Sequence, residues 1–319
     1  MLKRRDFLAG SATLVAASAM PARAADPLNV VATTAMVADM AAQIGGADVS
    51  VRALMGPGVD PHAYRQTRTD IVAMTRADLV LSHGLYLEAQ MEQFFKTLQR
   101  RVPVEAAAEV LSEELLLAHP DYADKFDPHV WMDPTLWAQV IPGVQASLTA
   151  LRPDAGGKFA ANGEAFVQEI SGLEDYVRSA VQSVPEASRV LVTAHDAFSY
   201  FGAAYGFEVL GIQGISTESE AGLARIRDLV DVLVSRQIGA VFVESSVSDR
   251  NMRALIEGAA ARGHEVTIGG ELFSDAMGAP GSYEGTYIGM IDHNATTIAR
   301  ALGGTVPERG MSGRLSMGA

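Results

Sequence analysis

Short apolar runs along this chain alternate with stretches whose apolar residues recur every three to four positions, the rhythm of βαβ units around mostly parallel sheets. The runs Leu28–Thr34, Val49–Met55, Ala77–His83, Arg189–His195, Phe207–Ile212, Ala240–Ser245 and His264–Gly270 read as strands. Segments such as Thr67–Ala77 and Ala224–Gln237 carry the helical spacing between them. From Pro153 to Val184 the strand pattern stops, and Phe159, Phe166, Ile170, Leu173, Val177, Val181 and Val184 line up on one helical face. About thirty residues at ~1.5 Å each would run ~45 Å, enough to cross a whole domain. Gly156, Gly157 and Gly163 are expected to weaken its first turns. The expected fold is therefore α/β, with two parallel-sheet lobes, 25–150 and 185–319, joined by one long connecting helix over 151–184.

The first residues are set apart by chemistry. Lys3, Arg4 and Arg5 precede a short apolar stretch that ends in Ala22-Arg23-Ala24, the layout of a cleavable export signal over 1–24. Arg4-Arg5-Asp6-Phe7-Leu8 also resembles a twin-arginine signal, which implies export of a folded chain, with an ordinary secretory signal as the alternative. The apolar stretch is too short for a permanent span of ~20 residues. No cysteine occurs in the chain. That removes disulfides, thiolate ligands and lipid attachment at an N-terminal cysteine, so the expectation is a soluble protein of the bacterial periplasm with no membrane insertion.

Composition fits a globular protein of 319 residues, 48% hydrophobic and 20% charged. A formal charge of -13 argues against nucleic acid as partner and suits a cation.

Candidate chemistry centres on a triplet that occurs twice, Asp60-Pro61-His62 and Asp127-Pro128-His129. Proline fixes its own φ and holds the preceding residue extended, so each histidine is presented from a stiff backbone. Such presentation suits a metal ligand, whose second ring nitrogen needs a partner; Asp60 or Asp127 is near enough in sequence to serve. His195 ends one predicted strand, and Asp275 follows another. Open parallel sheets bind ligands outside those carboxyl ends, although either residue alone is more often a turn or cap.

The ordered stretches GVDPHAY, DPHVWMDP, TAHDAFSYFGAAYGFEVLGIQGIST, FVESS and IGGELFSDAMG resemble the TroA-like zinc and manganese receptors of ABC importers over essentially the whole exported chain. The resemblance implies two α/β lobes, a connecting helix that permits limited lobe motion, and a metal ion in the cleft between the lobes. It implies His62, His129, His195 and Asp275 as the ligands. It also implies a permease in the inner membrane as partner, with a metallochaperone left open and a monomer as the simplest state.

Three imidazoles and a carboxylate suit tetrahedral Zn²⁺, whereas Mn²⁺ prefers more oxygen. Manganese stays open as the alternative. The region before His129 lacks the long histidine-rich loop of many zinc members; His119, Asp121 and Asp124 with Asp127 are expected to form a solvated acidic loop. His83 is expected to pack or support the site, Glu244 to serve as a structural hydrogen-bond acceptor, and His264 and His293 to lie at the surface or at caps. Trp131 and Trp137 are expected to pack the first lobe.

A periplasmic metalloenzyme or a periplasmic zinc chaperone is the rival reading. No H-E-x-x-H, G-x-S-x-G or P-loop pattern occurs, and Asp275 would close the position a catalytic water needs. Protons are expected to compete with metal near the ordinary histidine range of ~6.5.

Overall fold

The computed structural model describes residues 26–119, 122–219 and 221–316. The export segment 1–24 and Asp121 therefore lie outside the described residues. Among those described, no helix is long and apolar enough to cross a membrane.

The first half builds β1 (Leu28–Ala32), α1 (Ala35–Gly45), β2 (Val49–Ala53), α2 (Arg68–Thr75), β3 (Leu79–Ser82), α3 (Glu92–Leu98) and β4 (Val104–Ala106). Its four strands pair in parallel in the order β2-β1-β3-β4, with Leu28 opposite Val49, Val30 opposite Leu79, and Val80 opposite Val104. The central strand β3 is buried along its whole length, as a strand covered on both faces must be. Strand β4 spans three residues behind Pro103, too short to show a period in the sequence.

Next come α4 (Pro134–Leu151) and the 27-residue α5 (Gly156–Gln182). Asp133 caps α4, accepting the N–H groups of Thr135 and Leu136, and Pro134 occupies its first turn where no N–H is needed. All seven residues predicted on the apolar face of the long helix are buried. The helix starts at Gly156, behind a short 3-10 turn at Pro153–Ala155, and runs ~40 Å. Gly163 proves to be a packing residue: a Cβ there would sit 2.9 Å from Gln145 and 3.3 Å from Ile141, so glycine lets α4 and α5 approach closely.

The second half follows with β5 (Val190–Thr193), α6 (Ser199–Tyr205), β6 (Glu208–Gly211), α7 (Leu223–Arg236), β7 (Ala240–Glu244), α8 (Arg250–Ala260), β8 (Thr267–Leu272) and α9 (Tyr287–Ala301). Strands β5 and β6 pair in parallel, as do β7 and β8 with a register shift between Val241 and Phe242. The α/β class with parallel sheets is thus as the hydrophobic pattern predicts.

The largest apolar cluster runs continuously from Val30 and Leu81 through Trp137, Phe166 and Leu173 to Phe198, Phe242 and Ile298. Helix α5 packs against α1 and α4 of the first half and α9 of the second, so both halves are tied to one helical layer. Burying one such Leu or Phe side chain contributes roughly 1.5–3 kcal/mol.

Candidate metal centre

Both Asp-Pro-His triplets fold into the same turn. The Asp60 carboxylate accepts the His62 N–H at 2.8 Å, and the Asp127 carboxylate accepts the His129 N–H at 2.9 Å. An aspartate that bonds the backbone two residues on, with proline locked between, sets the histidine at a fixed angle. His62 is carried by the segment after β2, and His129 by the segment before α4.

The second half supplies the other two residues. His195 lies just past β5, where its N–H donates to Glu244 Oε1 at 2.9 Å; Glu244 is the last residue of β7. Gly211 at the end of β6 lets this corner close, because a Cβ there would lie 2.6 Å from the Asp196 nitrogen. Asp275 follows β8. Asn294 of α9 holds the approach to it, accepting from the Phe273 N–H and donating back to the Phe273 carbonyl.

The four side chains meet. His62 Nε2 is 3.3 Å from His129 Nε2, Asp275 Oδ1 is 3.3 Å from His129 Nε2, and Asp275 Oδ2 is 3.2 Å from His195 Nε2 and 3.9 Å from His62 Nε2. One ligand atom from each residue lies within 4.8 Å of every other, and all four residues are buried. Among the described residues, neither Asp275 oxygen nor His195 Nε2 has a hydrogen-bond partner of good geometry. Leaving buried polar atoms unpaired costs roughly 1–3 kcal/mol each, and a cation placed among these atoms would satisfy all three.

Carboxylates behind two of the rings decide which nitrogen faces inward. Asp127 Oδ1 accepts from His129 Nδ1 at 2.7 Å, and Glu244 Oε2 accepts from His195 Nδ1 at 2.5 Å. Each bond commits Nδ1 to the carboxylate, so Nε2 is the nitrogen that faces the other three side chains. Burial alone would push the His129 imidazole down, but Asp127 and Asp275 outweigh it and hold it at about 9. The same contest, won by Glu244 and Asp275, raises His195 well above the ordinary range. For Asp275 burial pulls upward, yet the His195 and His129 rings hold the carboxyl well below its usual range. His62 differs: burial dominates and pushes its imidazole down to about 3.

The surrounding residues hold this frame. His83 is fully buried, its Nε2 donating to the Pro128 carbonyl at 2.7 Å and its ring lying against Trp131 and Trp137. Glu88, not singled out from the sequence, accepts from the His83 and Gly84 N–H groups and from the Thr33 hydroxyl, pinning the turn after β3. Trp131 does more than pack one lobe. Its Nε1 donates to the Ser274 carbonyl beside Asp275 at 2.9 Å, and its own carbonyl accepts from the Tyr287 hydroxyl. His264 and His293 are half-buried and each donates to a backbone carbonyl, away from the cluster.

The acidic stretch before His129 is solvated at Tyr122, Ala123 and Asp124, as expected, but not at its two ends. An antiparallel bridge between Ala118 and Phe126 folds it back, His119 is buried with its ring 4.7 Å from that of Tyr122, and Asp127 is turned inward to His129. Asp124 is exposed.

Residues 30–301 match the family described as "Zinc-uptake complex component A periplasmic". The manganese-binding lipoprotein MntA of Bacillus subtilis (strain 168) is 46% identical over 275 residues, which cover 86% of this chain and 90% of that protein. The zinc-binding protein TroA of Treponema pallidum (strain Nichols) is also 46% identical over 275 residues, 86% of this chain and 88% of that protein. Among solved structures, the periplasmic zinc-binding protein TroA from Treponema pallidum superposes with a TM-score of 0.84 at 45% identity, covering 86% of this chain and 99% of that one.

Proposed function

The chain belongs to the family of periplasmic zinc-uptake component A proteins, and we propose that it captures a divalent transition metal, zinc before manganese, and delivers it to the permease of an ABC importer. The observation that carries this reading is the buried meeting of His62 and His129 from one lobe with His195 and Asp275 from the other. In this reading those four residues are the ligands, with Asp127 and Glu244 orienting the two rings they bond.

Zinc is supported by geometry. A tetrahedral ion with ligands at ~2.0–2.1 Å sets them ~3.3–3.4 Å from one another; the three shortest separations here are 3.2–3.3 Å, while His62 Nε2 and Asp275 Oδ2 stand 3.9 Å apart and would draw together on the ion. Manganese is the second reading, favoured by one observation: Asp275 turns both oxygens toward imidazole nitrogens, so a two-oxygen contact would raise the coordination number. A receptor is favoured over a hydrolase because Asp275 closes the position that an activated water would occupy.

The open cleft would take the ion on His62 and His129, and closure would bring His195 and Asp275 to complete its shell. Release requires a partner that binds the open state better than the closed one, the role assigned to the permease. The lobes are assigned to 25–150 and 185–319, with 151–184 as connector, and the chain acts as a monomer in the periplasm after loss of 1–24. Loading from a metallochaperone is compatible with this scheme but not required by it.

The test is a metal count by mass spectrometry on stripped protein offered equal limiting Zn²⁺ and Mn²⁺, then dialysed, with Asp275→Ala as control. One zinc per chain, retained poorly by the control, is expected. Retained manganese would move the assignment to the second reading, and no retained metal would end the receptor reading.

A further inference from the structure

Asp60 and Asp127 occupy the same place in two copies of one turn, and up to the backbone they act alike. Beyond it they diverge. Asp127 uses the same oxygen for the ring of its own histidine, whereas Asp60 sends its second oxygen across the cleft, where the Thr217 hydroxyl donates to Oδ2 at 2.5 Å. Thr217 lies between β6 and α7 in the opposite lobe. Its segment is braced from within, because Gln213 Nε2 donates to the Thr217 carbonyl at 3.4 Å and to the Ser219 carbonyl at 3.1 Å.

The lobes also meet close by. A Cβ on Gly58, two residues before Asp60, would lie 3.3 Å from the Ser245 carbonyl oxygen. The bonds from Trp131 to Ser274 and from Tyr287 to Trp131 are made by fully buried rings, whereas Asp60 and Thr217 are only half-buried. Opening of the cleft is therefore expected on the Asp60 side. Gln90 also bridges the lobes there, to Glu218, but this pair is exposed and bonds to none of the four clustered residues.

His62 is the ligand that depends most on its turn, since no carboxylate bond to its ring stands among those described for the other two histidines. Resting on the metal-receptor reading, we propose that Asp60 is a positioning residue that couples metal residence to lobe closure: one carboxylate oxygen holds the His62 turn while the other engages Thr217 of the opposite lobe. Closing the cleft makes the Thr217 bond and stiffens the turn that aims His62. Opening breaks the bond and frees that turn in the same motion.

The experiment uses zinc-loaded full-length protein and follows association and chelator-driven dissociation by stopped flow, with bound zinc counted by mass spectrometry. Thr217→Val keeps the shape of the side chain and removes the donor. It is expected to hold one zinc, associate at the wild-type rate and dissociate about tenfold faster or more, the size of a lost hydrogen bond to a carboxylate. Thr217→Ser, which keeps the hydroxyl, is expected to restore the wild-type rate and guards against a folding defect. Asp60→Ala, which loses both bonds, is expected to dissociate faster than Thr217→Val.

Wild-type dissociation from a one-zinc Thr217→Val variant would overturn the proposal, as would failure of Thr217→Ser to restore it. An equal acceleration by Gln90→Ala would overturn it too, because any bridge at the rim would then serve. Wild-type protein that holds no zinc is a separate outcome: it removes the receptor reading first and the Asp60 role with it.

Discussion

Metal binding at neutral pH should expel about two protons for each zinc ion. His129 is held at about 9 and His195 well above the ordinary range, so both rings carry a proton at pH 7 in the metal-free chain. His62, pushed down to about 3, carries none. A ligating nitrogen must be bare, so each of the first two rings gives up one proton when the ion arrives. Exchange of two protons for one dication leaves the buried charge unchanged beside Asp127, Glu244 and Asp275, which is the electrostatic reason the exchange is tolerable in a site closed to water.

The sign follows from linkage: the free state binds more protons, so affinity rises with pH, with the His129 share levelling off above about 9, and falls in acid. With two protons exchanged, affinity should change by about a hundredfold per pH unit around neutrality. Three histidines at ~6.5 would instead release less than about one proton in total at pH 7. Titration calorimetry in buffers of different ionisation enthalpy separates these cases. Glu244→Gln, which removes the carboxylate behind His195, should bring the count toward one. Release of less than one proton by the wild-type protein, or a flat affinity between pH 7 and 8, would refute this account.

Two further outcomes concern stability. Leu173→Ala empties a fully buried position on the long helix and should lower the unfolding free energy by about 2–5 kcal/mol in denaturant melts, with the zinc stoichiometry unchanged. Saturating zinc should raise the melting temperature, since free metal at about a thousand times its dissociation constant adds roughly 4 kcal/mol, and a chelator should abolish the gain.

Much of the centre was legible because its chemistry is local. An Asp-Pro-His triplet encodes its own turn, and two copies of it announced His62 and His129 before any fold was known. The strand-end placement of His195 and Asp275 was weaker evidence, because a histidine or aspartate after a strand is usually a cap, and only the resemblance joined them to the triplets. In the loop before His129 the exposed Asp124 follows from the charge the sequence displays, whereas the bridge from Ala118 to Phe126 and the inward turn of Asp127 rest on contacts the sequence hides.

By itself the sequence determined what depends on neighbours a few positions apart: the apolar runs of every strand but β4, the single apolar face from Phe159 to Val181, the stiff turns, and the absence of thiol ligands. Tertiary structure decided every pairing between residues far apart in the chain. It chose Asp127 for a ring and Asp60 for the opposite lobe, although the two triplets are identical; it set Glu244 behind His195 and joined Trp131 to Ser274. The physical reason is that a turn is fixed by local sterics, whereas a carboxylate's second partner is whatever donor the packing of two lobes on one helical layer brings within about 3 Å.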